Sequence, residues 1–167
     1  YIPYGKGRYN SPSVFFFGES MNLINGCEKG DYAEVSADIN VYLKMDNPVH
    51  PVYAQSLAGQ IVTTYKKEYV VQPFYKNTIE IEGVVDFIKK KDKYVQLFVK
   101  PADDDRLGKR VKATIYNTNM KVLTELKSGD KVLMRGGIQS SVRTVNKKVR
   151  KNDLIVVNSV SKLSLTH

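Results

Sequence analysis

The stretch KYVQLFVK, Lys93 to Lys100, decides the fold. Val95, Leu97 and Val99 alternate with Tyr94, Gln96 and Phe98, which is the two-residue period of a β-strand. With the aliphatic set turned to a core, two aromatic rings point the other way, toward water.

The flanking sequence reads as further strands with one helical interruption. A strand is predicted over about Thr78–Ile88 (TIEIEGVVDFI), with Ile79 and Ile81 inward, Glu80 and Glu82 outward, and Gly83 at a bulge or bend. The lysine-rich turn KKKDK leads to Tyr94–Lys100, and the polar loop PADDDRLG to a third strand, Arg110–Tyr116. Asn117 or Thr118 is placed to cap a helix over about Asn119–Leu126, and Ser128-Gly129-Asp130 is a turn. A fourth strand, Lys131–Ser140, a basic hairpin tip near residues 143–153 and a last strand, Leu154–Leu165, complete the series. Three strands, a helix and a hairpin in about 90 residues is the element order of a five-stranded OB-fold barrel, so the chain is expected to be mainly β, with that barrel over about residues 77–165.

Alternation in the third strand sends Val111, Ala113 and Ile115 to the core and leaves Arg110, Lys112, Thr114 and Tyr116 on the opposite face. Beside Tyr94, Gln96, Phe98 and Lys100, these make one surface of three rings and three cations. Unpaired bases stack on aromatic rings for ~1–3 kcal/mol each, and Lys and Arg neutralise phosphates. Duplex DNA exposes no base faces, so the pattern points to a single strand. The same rings also suit a subunit or domain interface, although the cations make a dry one less apt. The predicted hairpin tip adds Arg143, Lys147, Lys148, Arg150 and Lys151 beside the groove of such a barrel. A solvated turn is the alternative reading of that run, and Lys89, Lys90, Lys91 and Lys93 form a third basic turn between the first two strands.

The first half is β-rich but less legible. VFFF and YAEVSADINVYL read as strands around a segment of helical potential, ESMNLINGCEKG; QIVTTY and EYVVQPF read as a hairpin joined by Lys66-Lys67, and DNPVHP as a loop. A boundary is expected in Gln72–Asn77, separating a β-rich region, residues 1–76, from a nucleic-acid-binding domain, residues 77–167. Val14–Ile39 parallels Val111–Ile138: each has a strand, a short helix, a Gly-Asp turn and a strand ending in Ile. As a diverged repeat, the first copy is a second OB-like unit whose two opening strands lie upstream of Tyr1 or are replaced by the later hairpin. Charge divides at the same place. Residues 1–77 hold seven Lys/Arg and seven Asp/Glu, and residues 78–167 hold 19 against 10, so the whole net charge of +9 sits in the second half. That half is the one expected to meet a polyanion.

At 167 residues, with 42% hydrophobic and 26% charged content, the chain has the composition of a folded soluble protein. No apolar run approaches the ~20 residues of a membrane span, and no signal-peptide pattern opens it. The single cysteine, Cys27, excludes an intrachain disulfide and a Cys-based zinc site, favours a reducing compartment and reads as a buried or idle thiol; a cytoplasmic location is expected. His50 and His167 are far apart. No P-loop, Gly-x-Ser-x-Gly, His-Glu-x-x-His or Cys-x-x-Cys motif is present, and Asp103-Asp104-Asp105 reads as a solvated turn rather than a Mg²⁺ site. Neither enzyme activity, metal nor cofactor is expected.

TIEIEGVV, YVQLFVK, RVKATIYNTNMKVLTELKSGDKVLMRGGIQS and DLIVVNSVSKL together resemble the bacterial single-stranded DNA-binding protein family over about residues 77–165. The resemblance implies an OB fold, sequence-tolerant coating of single-stranded DNA in replication or recombination, and assembly into dimers or tetramers. By matched position it implies base stacking on Tyr94, Phe98 and Tyr116 and phosphate contact by Arg143 to Lys151. The chain departs from the family in having no tryptophan, in ending KLSLTH without an acidic tail, and in its first 76 residues. A single-stranded RNA or tRNA-binding module and a structural assembly subunit remain alternative readings.

Overall fold

The computed structural model describes residues 2–3, 9–10, 12–45, 52–70, 76–102, 110–145 and 148–164. The chain divides into two units, one of Ser13–Lys76 and one joining Asn77–His167 to Pro3–Pro12. Strands β1 (Ile2–Pro3) and β2 (Tyr9–Asn10) pair with each other. The first unit contains β3 (Val14–Phe15), a 3₁₀ helix (Gly18–Ile24), β4 (Tyr32–Met45), β5 (Val52–Tyr65) and a 3₁₀ turn (Lys67–Tyr69). The second contains β6 (Ile79–Lys90), β7 (Val95–Pro101), β8 (Val111–Ile115), helix α1 (Val122–Glu125), β9 (Lys131–Val145) and β10 (Lys148–Lys162).

These last five strands close into a barrel in the order β10-β8-β7-β6-β9, antiparallel throughout except for the parallel β8–β10 pair. This is the expected OB fold. Closure depends on β6, which pairs with β9 over Ile79–Val84 and with β7 over Gly83–Lys90. At the overlap the β7 backbone approaches so closely that a Cβ on Gly83 would collide with the Lys100 carbonyl oxygen, so only glycine fits. The bulge lies further on, where the register with β7 shifts between Val85 and Phe87 and leaves Asp86 without a partner. Val95, Leu97 and Val99, with Val111, Ala113 and Ile115, fill the interior against Ile81, Val85, Val132, Met134, Ile155 and Val157.

The helix is shorter than the sequence suggests. Asn117 Oδ1 accepts from the Asn119 amide at 3.3 Å, an Asx turn that competes with helix initiation, and α1 starts only at Val122. Leu123 and Leu126 are nonetheless buried. Strand pairing in the β9–β10 hairpin runs unbroken from Ser141↔Asn152 to Val145↔Lys148. The basic run expected at a loop tip therefore forms the far end of a two-stranded ribbon.

In the first unit β3-β5-β4 form a three-stranded sheet, with β3 parallel and β4 antiparallel to β5. Of the expected QIVTTY–EYVVQPF hairpin, QIVTTY is the end of β5, paired with β4, and Lys67–Tyr69 is a 3₁₀ turn, while residues 71–74 lie outside the described residues. The loop DNPVHP, residues 46–51, lies outside the described residues. Strand, short helix, strand, strand, with the first parallel to the last, repeats the order β8–α1–β9–β10. The likeness extends to atoms. Gly30 and Gly129 both have positive φ (109° and 92°). Asp31 accepts from the Glu28 amide at 3.0 Å and pairs with Lys66 at 3.0 Å; Asp130 accepts from the Lys127 amide at 3.0 Å and pairs with Lys162 at 2.8 Å. The next hairpin bulges directly after Ser36 in one unit and Arg135 in the other, the fifth residue past each aspartate. Aligned on the parallel pairs Phe15↔Ala58 and Thr114↔Val156, Phe17 takes the position of Tyr116, and both are exposed.

The two clamps shift their groups as such contacts should. The backbone amide of Glu28 and then Lys66 hold the Asp31 carboxyl below its ordinary value, and Asp31 raises Lys66. Lys162, then the Lys127 amide, lower Asp130.

Candidate nucleic-acid interface

The outer face of β7 and β8 is set by register. Phe98 lies between Phe87 of β6 and Lys112 of β8, and Gln96 between Lys89 and Thr114. Tyr94 and Tyr116 flank the Val95↔Ile115 pair and meet edge to face, with ring centroids 6.2 Å apart at 68°. The expected rings thus share one face, although only Tyr116 is freely exposed, at 50%; Tyr94 and Phe98 are half-buried. Thr114 is buried, although alternation puts it on this face. A short side chain between two paired strands is covered where a long one is not.

Phe98 stacks face to face on Phe87, centroids 4.0 Å apart and planes within 13°. Sequence alternation misses Phe87. Counting by twos from Ile79 and Ile81 sends residue 87 inward, but the bulge at Asp86 reverses the phase. Ile88 then opposes buried Leu97, and Phe87 stands 39% exposed on the outer face. The run Gly83-Val84-Val85-Asp86-Phe87-Ile88 leaves the bulge unmarked.

The cations are less independent than their spacing suggests. Asp86 pairs with Lys100 at 3.2 Å and with Arg110 at 2.7 Å. The Arg110 guanidinium lies 5.5 Å from the centre of the Phe87 ring, within the range of a cation–π contact. Lys112 is half-buried beside Phe98. Lys89, Lys90, Lys91 and Lys93 are all exposed around the turn from β6 to β7.

On the ribbon, Arg143 and Arg150 occupy opposed strand positions, Lys151 opposes Val142 and is exposed, and Lys148 opposes Val145. Lys147 lies outside the described residues, as do the side chains of Arg143, Lys148 and Arg150 and the whole of Asp103-Asp104-Asp105, His50 and His167. Cys27, read as buried or idle, is exposed.

No family model matches the sequence, and no curated protein does. Among solved structures, a deletion mutant of the single-stranded DNA binding protein from Thermus aquaticus superimposes with a TM-score of 0.65 at 10% identity, over 92% of this chain and 71% of that one. The Plasmodium falciparum SSB in complex with ssDNA matches 56% of this chain and 100% of that one, at 17% identity and a TM-score of 0.41. A chain of the S. pombe Stn1–Ten1 complex matches at 19% identity and a TM-score of 0.37, over 54% of this chain and 60% of that one. At these identities the likeness is one of fold, and it rests on the Thermus structure.

Proposed function

We propose that the protein binds single-stranded DNA with little regard to sequence and acts by coating it, in replication or recombination, rather than by catalysis. One observation carries this reading: the outer face of β6, β7 and β8 sets two ring pairs, Phe87–Phe98 and Tyr94–Tyr116, among Lys100, Arg110 and Lys112. Rings accept any base by stacking, and the cations meet a phosphate backbone that is the same for every sequence. Residues 77–167 are the binding domain in this account, and the ribbon with Arg143, Lys147, Lys148, Arg150 and Lys151 extends the track for phosphate. The family resemblance and the Thermus fold likeness support the binding reading; assembly into a dimer or tetramer follows from the resemblance alone, and a cytoplasmic location from the single cysteine.

A second reading, docking of protein on the same face, draws support from the half-burial of Tyr94 and Phe98 and the ion pairs that occupy Lys100 and Arg110.

The test is a fluorescence titration of labelled oligo(dT) across a salt series, with duplex DNA and oligo(U) as competitors. Binding that weakens with a log–log slope of about −0.7 per phosphate contact, and that duplex competes for poorly, is the expected result. Failure to bind oligo(dT) at low salt rejects the reading, and efficient competition by oligo(U) moves it toward RNA.

A further inference from the structure

A face suited to a polyanion carries a carboxylate between two of its cations. Asp86 is the residue left out of the β6–β7 register. The bulge sets its side chain, 18% exposed, between Lys100 of β7 and Arg110, the residue before β8, while both cations stay about half exposed. One carboxylate oxygen meets each: Oδ1 the Lys100 ammonium at 3.2 Å and Oδ2 the Arg110 Nε at 2.7 Å. Without it, two like charges on neighbouring strand positions would repel and spread over many rotamers. With it, they are held at the spacing that a bridging oxyanion imposes.

We propose that Asp86 holds the place of a backbone phosphate, so that single-stranded DNA binds here by exchanging one bridging anion for another. The inference rests on the single-stranded DNA reading and deepens it. In the free protein the carboxylate satisfies Lys100 and Arg110 and keeps the guanidinium over Phe87, beside the stacked pair. An incoming phosphate gains less from these two cations than from free ones, and fewer counterions are released. Affinity and salt dependence are both set below what the charge of the face allows, which favours release as well as capture.

The test compares Asp86→Asn with the unaltered protein in the oligo(dT) titration at several salt concentrations. Glu80→Gln serves as a control of equal charge change: Glu80 lies on the same strand but pairs with Arg135 toward β9. Asp86→Asn is expected to bind about 3- to 10-fold tighter at low salt, with a log–log slope steeper by about 0.7, and Glu80→Gln to change little. Binding by Asp86→Asn that is unchanged or weaker, a slope that does not steepen, or an equal gain in Glu80→Gln overturns the proposal. Melting curves establish that each variant is folded, and Asp86→Ser carries the same comparison should the Asn variant not fold. If the unaltered protein fails to bind oligo(dT), the functional reading falls and this inference with it; if it binds, these outcomes judge the inference alone.

Discussion

Leu97 and Phe98 are adjacent on one strand and face opposite sides, so truncating each should damage a different property. Leu97 is 0% exposed at the barrel centre, and Leu97→Ala should cost about 2–5 kcal/mol of stability through lost transfer energy and a cavity. Phe98 is half-buried and stacked on Phe87 at 4.0 Å. Its removal forfeits about 0.5–1.5 kcal/mol of ring–ring contact beyond area, and with the partial loss of burial roughly 1–3 kcal/mol in all. In a chain of this size each kcal/mol lowers Tm by about 2–4 °C. For binding the order reverses. A base stacked on Phe98 contributes about 1–3 kcal/mol, so Phe98→Ala should raise the Kd for oligo(dT) about 5- to 150-fold, whereas folded Leu97→Ala should bind as the unaltered protein does. Thermal melts followed by circular dichroism and oligo(dT) titrations well below each Tm read the two effects separately. A Phe98→Ala protein that binds with unchanged Kd, or that loses more stability than Leu97→Ala, would refute the assignment of this ring to a ligand face.

Two other outcomes follow from the framework of the barrel. The Asp130 carboxyl is lowered mainly by Lys162; a depressed carboxylate stabilises the fold above its unfolded value near 3.8, and that stability is lost as pH falls through the lower folded value. Asp130→Asn should therefore lower Tm at neutral pH and flatten the fall of Tm below about pH 4, and an acid limb as steep as that of the unaltered protein would contradict the clamp. Gly83→Ala forces a methyl within 2.2 Å of the Lys100 carbonyl oxygen, and should cost at least the roughly 1–3 kcal/mol typical of overpacking, read as a lower midpoint in urea.

The barrel was legible because its inward positions are nearly all β-branched or leucine: the alternation of Val95, Leu97 and Val99 with Val111, Ala113 and Ile115 matches the buried set. The first unit was harder to read at its end, because Glu68–Phe74 has strand-like composition while Lys67–Tyr69 turns instead; the faint repeat was the better guide, since Gly-Asp turns need a positive φ and a carboxylate acceptor in both units. On the candidate face, Tyr94, Phe98 and Tyr116 follow from period two. Phe87 and the Asp86 bridge do not, because a bulge changes phase without changing composition. The ribbon reads as a loop tip for a different reason: over residues 142–151 the valines stand three and four apart rather than two, and the density of charge suggests a turn.

The central claim, that unpaired bases stack on the outer face of β7 and β8, is tested most directly by residue-resolved NMR. Unlabelled oligo(dT) is added to the isotopically labelled protein while backbone amide and aromatic signals are followed. The account predicts that the largest shifts fall on the rings of Phe87, Tyr94, Phe98 and Tyr116 and on the amides of residues 94–100 and 110–116. Shifts that avoid these strands while the DNA binds elsewhere on the chain would contradict it.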